Sequence, residues 1–173
     1  LDKCLGCEAC ITACIEENEV PYQAGMRTRM HRIVTGKFPN VKALYMHRIC
    51  MHCENPPCVH VCPTGASYRR EDGIVLIDYD LCIGCKYCMV ACPYLARYIH
   101  PERLTPDKCT FCEHLLKKGR QPACVETCPA KARIFGDLDD PTREVAKIVN
   151  ENQAFPIGAE YGTRPRVFYV RPR

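Results

Sequence analysis

Cys82-Ile83-Gly84-Cys85-Lys86-Tyr87-Cys88-Met89-Val90-Ala91-Cys92-Pro93 carries three cysteines two residues apart, a fourth after three more, and a proline directly behind it. The same C-x2-C-x2-C-x3-C spacing runs through Cys4, Cys7, Cys10 and Cys14. Two looser versions complete the pattern: Cys50, Cys53, Cys58 and Cys62 (C-x2-C-x4-C-x3-C), and Cys109, Cys112, Cys124 and Cys128 (C-x2-C-x11-C-x3-C). These groups use all 16 cysteines of the 173-residue chain. Cys62, Cys92 and Cys128 each precede a proline, whereas Cys14 precedes Ile15.

Such spacing is what a [4Fe–4S] cluster demands. Three thiolates on one short loop wrap a cube and each reaches a different iron. The fourth iron faces away and takes a cysteine from elsewhere, in two-cluster ferredoxins the one before the proline of the other group. The proline, without an N–H and with its φ fixed, helps break the turn that carries that ligand. Two other chemistries fit worse. A disulfide scaffold needs an oxidising compartment and Cα pairs within reach, and loops with a cysteine at every third residue pair poorly. Structural zinc takes two Cys-x2-Cys knuckles per ion, which leaves the third thiolate of each loop surplus. A Rieske centre needs histidine in two ligand slots, and none is filled by one. His31, His47, His52, His60, His100 and His114 therefore read as surface or packing residues, with His52 and His60, inside a cysteine loop, as candidates to hydrogen-bond a sulfur. Four complete groups predict four [4Fe–4S] clusters, with iron bound through the same cysteines.

Composition agrees. Hydrophobic residues make up 47 % of the chain only because the cysteines are counted among them; there is no Trp, 5 Phe and 14 Pro. The aliphatic core is thin, so cross-links must supply stability that burial cannot. The longest aliphatic run, Ile74–Ile77, is far short of the roughly 20 apolar residues that span a bilayer, and no secretory signal pattern is present. Lys and Arg number 24 against 20 Asp and Glu, a formal +4. The basic residues are scattered, which argues against a nucleic-acid partner. Each oxidised cube on four thiolates carries about −2, so four clusters turn that +4 into about −4. Lys3, Lys86, Lys108 and Arg97 lie close to ligands in sequence and are candidates to raise cluster potentials.

Between the cysteine groups the chain offers short elements. Met26–Val34 and Val41–Met46 read as strands joined through Gly36–Asn40, and Ser67–Arg70 with Ile74–Asp78 as a hairpin across Asp72-Gly73. Arg133–Leu138 and Val167–Val170 read as further strands. Phe111–Lys118 reads as a helix stopped by Gly119, and Pro141–Asn150 as another with Asp140 as its N-cap and Val145, Ile148 and Val149 on one face. Cys62-Pro-Thr-Gly-Ala-Ser, Cys92-Pro-Tyr-Leu-Ala-Arg and Cys128-Pro-Ala-Lys-Ala-Arg repeat one phrase, a sign of duplication. The fold class expected is α+β and loop-rich. No phosphate loop, nucleophile elbow or acid–base pair is present; Asp78 and Asp80 read as turn residues. A cube with four thiolates has no open iron, so it moves electrons and binds no substrate. Four are more than a diffusible carrier needs and suit a path between two partners.

The sequence resembles the four-cluster ferredoxin-like electron-transfer subunits of molybdopterin oxidoreductases of the dimethyl sulfoxide reductase superfamily, with the nearest likeness to the polysulfide/thiosulfate reductase iron–sulfur subunit. The likeness covers essentially the whole chain. It is carried by Cys4-Leu-Gly-Cys-Glu-Ala-Cys, Glu17-Asn-Glu-Val-Pro, Cys53-Glu-Asn-Pro-Pro-Cys, Cys62-Pro-Thr-Gly-Ala-Ser-Tyr, Cys109-Thr-Phe-Cys, Pro122-Ala-Cys-Val-Glu-Thr-Cys-Pro, Phe135-Gly-Asp-Leu and Gly162-Thr-Arg-Pro. Nitrite, tetrathionate, arsenate and hydrogenase-linked subunits share much of it. The resemblance implies two ferredoxin-like halves, each holding two [4Fe–4S] clusters: residues 49–92, and residues 1–48 with 93–173. It also implies the ligand sets, which spacing alone leaves open: Cys4, Cys7, Cys10 and Cys128; Cys14, Cys109, Cys112 and Cys124; Cys50, Cys53, Cys58 and Cys92; and Cys62, Cys82, Cys85 and Cys88. Some relatives carry Trp where Cys85 stands and bind a three-iron cluster; Cys85 implies a cube here. The partners implied are a molybdopterin catalytic subunit and a quinone-reactive integral membrane subunit. The chain itself would be non-catalytic and peripheral on the cytoplasmic membrane, on the periplasmic face, exported folded on the catalytic subunit's signal.

A zinc- or disulfide-stapled interaction module is the competing class, and a free-standing polyferredoxin a third. Anaerobically purified protein should carry about 16 iron and 16 acid-labile sulfide per chain; zinc without sulfide would sink the electron-carrier reading.

Overall fold

The computed structural model describes residues 1–21 and 26–172. The third cysteine of a group is the second residue of a helix in every case. Cys10 lies in α1 (Ala9–Glu17), after which the chain makes β1 (Arg29–Lys37) and β2 (Asn40–Arg48); Cys58 lies in α2 (Pro57–His60). The hairpin β3 (Ser67–Arg69) and β4 (Val75–Ile77) leads to α3 (Tyr87–Val90), which holds Cys88. Then come β5 (Tyr98–Ile99), β6 (Pro106–Asp107), α4 (Glu113–Leu116) and α5 (Ala123–Glu126), which holds Cys124. The chain ends with α6 (Glu144–Glu151), β7 (Phe155–Pro156), a 3₁₀ turn over Ala159–Tyr161 and β8 (Phe168–Tyr169). Among the described residues strands pair only as antiparallel twos: β1 with β2, β3 with β4, β5 with β6, β7 with β8.

Proline decides the helix lengths. α2, α3 and α5 stop at one turn, before Cys62-Pro63, Cys92-Pro93 and Cys128-Pro129, because proline disfavours helical backbone at the residue before it and supplies no N–H. Ile15 imposes neither limit, and α1 runs on to Glu17. The residue before the second cysteine is left-handed in all four groups: Gly6 (φ 66), His52 (φ 42), Gly84 (φ 68) and Phe111 (φ 54). The four groups are therefore one backbone unit, repeated, that turns sharply and then enters a helix. α1 packs on α5 and α2 on α3.

Cysteines stand in every apolar cluster: Ile49 with Cys50 and Cys109, Met51 with Cys53 and Tyr94, Cys58 with Val75 and Cys88, Cys112 with Leu115 and Ala123. The C-terminal segment straps the second cysteine loop. Glu54 N–H donates to Arg164 O (2.9 Å), Asn55 N–H to Thr163 O (3.0 Å) and Arg166 N–H to Met51 O (2.9 Å). Tyr169 donates to His47 O (2.8 Å) and Leu1 N to Val170 O (2.9 Å). Among the described residues no helix is long and apolar enough to cross a membrane.

Several elements differ from expectation. Arg133–Leu138 is irregular, not a strand. Its start follows the cysteine loop: Ala132 N–H donates to Cys128 Sγ (3.3 Å) and Arg133 Nη2 to Cys124 Sγ (3.3 Å). The last helix begins at Glu144 rather than Pro141, because Asp140 makes a turn first, its carboxylate accepting from Thr142 N–H at 2.9 Å and its carbonyl from Arg143 N–H at 3.1 Å. Its inward face holds Ala146 with half-buried Val145, Ile148 and Val149. The helix of the fourth group is a single turn, closed as expected at Gly119 (φ 72): Gly119 N–H bonds Leu116 O and Arg120 N–H bonds Leu115 O, a Schellman end. The first strand of the first ribbon is displaced three residues from the expected Met26–Val34, the second runs beyond the expected Val41–Met46 at both ends, and Phe38-Pro39 is the loop between them.

Asp107 ties this assembly together. It is 1 % exposed and accepts from Arg27 Nη2 (2.9 Å) and Nε (3.2 Å), Tyr79 (2.7 Å), Tyr98 (2.7 Å), Arg103 (3.3 Å) and Lys108 N–H (2.6 Å). Burial works to raise its carboxyl pKa, but the Arg27 guanidinium, the two hydroxyls and the Lys108 N–H outweigh it and hold it low. Asp107→Asn leaves the Arg27 side chain, 10 % exposed, without a carboxylate and with only neutral acceptors such as Asn18 Oδ1, and should cost about 3–5 kcal/mol in thermal unfolding of the loaded protein. The folded value lies below the unfolded one, near 4, so this stabilisation is complete above about pH 4 and is lost as pH falls through the folded value. The difference between wild type and Asp107→Asn should narrow there.

Candidate functional site

Two cavities are lined by four cysteines each. Cys62, Cys82, Cys85 and Cys88 line one, with Thr64, Ser67, Lys86 and Arg97. Cys50, Cys53, Cys58 and Cys92 line the other, with Met51, Tyr94 and again Arg97. Elsewhere Cys14 stands beside Cys112 and Cys124, and Cys109 beside Cys14, Cys124 and Cys50. Cys10 stands beside Cys4 and Cys124. Cys128 follows α5, which packs on α1, and Cys7 is exposed on the loop before α1. All 16 thiols are unbridged.

Burial dominates the thiol chemistry. It pushes Cys14 and Cys53 up to about 12, and raises Cys10, Cys58, Cys88, Cys109 and Cys124 as well. Cys62 alone moves down: its slight burial is outweighed by N–H and hydroxyl donors from Ser67, Thr64 and Ala66. Buried thiolates are unstable without a multivalent cation beside them, and iron deprotonates a coordinating thiol outright. Among the described residues no three Cys, His, Asp or Glu side chains converge tightly enough for a single ion. Four thiols lining one shared cavity without converging on a point suit a cube of several irons better than one tetrahedral ion.

Donors point at the sulfurs from the repeated unit and beyond it. Ser67 N–H reaches Cys62 Sγ (3.3 Å), Phe111 N–H reaches Cys109 Sγ (3.4 Å) and Ala132 N–H reaches Cys128 Sγ. Because α1 is not cut by proline, it carries the chain on to Asn18, whose Nδ2 lies 3.6 Å from Cys112 Sγ and 3.8 Å from Cys14 Sγ and is oriented by Arg27 on its Oδ1 (2.6 Å). Lys108, 1 % exposed, sits between Cys50 and Cys109 and donates from Nζ to Cys109 O (2.9 Å) and to Val75 O. Burial lowers its pKa and the neighbouring thiols oppose that.

The histidines hold to packing roles. His52 is 1 % exposed; its Nδ1 accepts from Val75 N–H (3.1 Å), its ring stacks 3.8 Å from Phe111, and its Nε2 is buried without a hydrogen-bond partner among the described residues, sulfur included. His60 is exposed. His47, driven down to about 2 by burial and by Arg133, stays neutral, accepting from Arg133 at Nδ1 and facing Thr28 at Nε2. Of the four basic residues singled out in sequence, Lys108 and Arg97 are buried beside thiols while Lys3 and Lys86 are exposed. Sequence reasoning passed over Arg133, although it ends the same repeated phrase as Arg97. Asp78 makes an ordinary turn, accepting from Asp80 N–H and Leu81 N–H.

A family model described as a 4Fe-4S dicluster domain matches residues 41–138, and a second of the same description matches residues 3–66. The chain belongs to the 4Fe-4S dicluster family. This dicluster chain is 46 % identical over 169 residues to Protein NrfC of Escherichia coli K12, covering 96 % of the chain and 76 % of that protein. It is 44 % identical over 172 residues to a polysulfide reductase chain of Wolinella succinogenes, covering 96 % and 88 %. A tetrathionate reductase subunit of Salmonella typhimurium is 44 % identical over 174 residues, covering 98 % and 69 %. The dicluster match accounts for the paired cysteine cavities and for a core built on thiols; the family resemblance drawn from the motifs stands.

Stripping iron under reducing conditions should abolish cooperative thermal unfolding near neutral pH. Where residual apo-protein structure persists, the raised thiols set its pH response. Their folded values lie above the ordinary value near 9, so the stability they contribute is present below pH 9 and drains as pH rises towards 12. Residual apo-protein structure, followed by circular dichroism, that increases over that range would contradict the burial of Cys14 and Cys53.

Proposed function

We propose that the chain is the non-catalytic electron-transfer subunit of a membrane-associated molybdopterin oxidoreductase, passing electrons singly through four [4Fe–4S] clusters. The reading rests above all on the two cavities, each walled by four cysteines of which one comes from the neighbouring group. On this reading Cys62, Cys82, Cys85 and Cys88 hold one cluster and Cys50, Cys53, Cys58 and Cys92 the next. Cys14, Cys109, Cys112 and Cys124 hold the third, and Cys4, Cys7, Cys10 and Cys128 the fourth. Residues 49–92 form one half and residues 1–48 with 93–173 the other. A [4Fe–4S] cluster on four thiolates takes up and gives back one electron and offers no open iron. The chain's part is to hold each thiolate in place, keep water away from the buried ones, and direct N–H groups at sulfur.

Partners follow from the same placement. Cys85 is exposed and its loop carries exposed Leu81, Ile83, Tyr87 and Val90, Val90 at 87 %. Apolar side chains around an exposed ligand loop suit contact with another subunit, across which an electron enters or leaves. The subunits proposed are a molybdenum catalytic subunit and a quinone-reactive membrane subunit, with this chain peripheral on the periplasmic face. Polysulfide or thiosulfate chemistry is the preferred setting. The near-equal identities to NrfC and to the tetrathionate reductase subunit make nitrite- or tetrathionate-linked complexes the second reading.

In the complex purified anaerobically from membranes, the chain should co-purify with a molybdenum-containing subunit and show four reducible clusters by EPR. Cys85→Ser should remove or convert one of the four signals and leave three. Loss of all four with the fold intact would overturn the ligand assignment, and purification without any large partner at natural expression would favour a free polyferredoxin.

A further inference from the structure

Arg97 and Arg133 stand at the same place in the repeated unit, five residues after the cysteine of Cys92-Pro93 and of Cys128-Pro129. Ser67 takes that place after Cys62-Pro63, and Glu19 lies five residues after Cys14. Both arginines lie within residues 93–173, but one follows Cys92, a ligand of the pair of sets built from the second and third groups, and the other follows Cys128, a ligand of the pair built from the first and fourth.

Their surroundings match as well. The Arg97 guanidinium lies beside Cys58 and Cys88, the third cysteines of their groups, and Arg97 lines both four-cysteine cavities. Arg133 lies beside Cys10 and Cys124, again the third cysteines of theirs. Those four cysteines open the helices that pack in pairs, α2 on α3 and α1 on α5. Each arginine therefore sits where two paired helices bring two different ligand sets together. Each is anchored by one arm: Arg97 Nη1 donates to Ser67 Oγ (2.9 Å), and Arg133 Nη1 donates to His47 Nδ1. Arg133 Nη2 reaches Cys124 Sγ (3.3 Å). Each also keeps one buried nitrogen without a hydrogen-bond partner, Nη2 in Arg97 and Nε in Arg133. No carboxylate pairs with either side chain among the ion pairs of the described residues. A permanently charged guanidinium that is buried, as in Arg97, or half-buried with an unpartnered buried nitrogen, as in Arg133, and that has no carboxylate needs negative charge nearby, and two thiolate-bound clusters supply it.

We propose that Arg97 and Arg133 are shared cations, each lying between the two clusters of one half and raising the reduction potentials of both members of that pair together. The inference rests on the four-cluster reading above. Reduction adds a negative charge to a cluster, and a fixed cation beside it stabilises the reduced form. A cation wedged between two clusters acts on both. It also offsets the repulsion that an electron on one exerts on an electron arriving at the other. The roles are positional: neither arginine accepts the electron.

The test is a potentiometric titration, monitored by EPR, of the complete complex, with iron and sulfide counted in every sample. Arg97→Gln should shift two of the four midpoints to lower potential and leave two in place. The shifted pair should include the signal that Cys85→Ser removes. Arg133→Gln should shift the other two. Arg97→Lys, which keeps the charge, should stay closer to wild type than Arg97→Gln. With four clusters loaded, no shift, a shift of one signal only, or the same pair moving in both variants overturns the proposal. If Arg97→Gln fails to load, Arg133→Gln decides alone, since Arg133 is half-exposed and contributes less to packing. A wild-type complex without four signals instead defeats the cluster reading beneath it, so the two failures are told apart.

Discussion

Thiols occupy the interior that aliphatic side chains fill in an ordinary domain of this size. Each apolar cluster contains at least one cysteine, and the fully buried side chains include Lys108, His52 and Asp107 alongside Met51, Val75 and Leu115. Such an interior is neither apolar enough to drive collapse nor polar enough to be satisfied by itself. Its stability depends on what the thiols bind. The Asp107 hub, the C-terminal strap across residues 51–55 and the one-turn helices position the sulfurs; none amounts to a core. Folding and cofactor loading are then a single event, as in other small proteins whose centres are inorganic.

Repetition at the level of backbone is the second organising fact. Four times the chain passes through a left-handed residue, meets its second cysteine, and later opens a helix whose second residue is the third cysteine. Glycine at Gly6 and Gly84 adopts that conformation freely, whereas His52 and Phe111 bear a cost of order 1 kcal/mol. His52 and Phe111 stack on each other at 3.8 Å, so the two strained positions support one another where the second and fourth groups meet. Gly6 has a second reason to lack a side chain, since a Cβ there would meet the Tyr45 ring at 2.5 Å.

Much of this is legible in the residues. The Asp72-Gly73 hairpin, the stop at Gly119 and the proline after three of the four groups are local signals, and local signals survive into the structure. Pattern misleads where sulfur competes for the backbone. Arg133–Leu138, with Ile134 and Phe135, reads as a short strand, yet the chain entering it gives an N–H and a guanidinium arm to sulfurs. Asp140 has the signature of a cap and instead builds a turn that delays the helix. Which cysteine serves which cavity is a question of distance in space, and spacing leaves it open. Arg133 escapes notice because a lone arginine carries no motif; only its correspondence with Arg97 in the repeated phrase gives it away.

The ribbon of β1 and β2 carries a different consequence. Strand β1 and the tip half of β2 lie almost wholly in solvent, and Phe38 at the tip is 93 % exposed. Among the described residues neither outer edge is paired, which is the form of surface that recruits foreign strands. Arg29, Arg32, Lys37, Lys42 and Arg48 line it with no acidic residue between them. Two copies of the ribbon therefore repel each other before their edges can zip together. The same uniform charge that keeps newly made chains apart leaves the ribbon open to any covering surface of opposite sign.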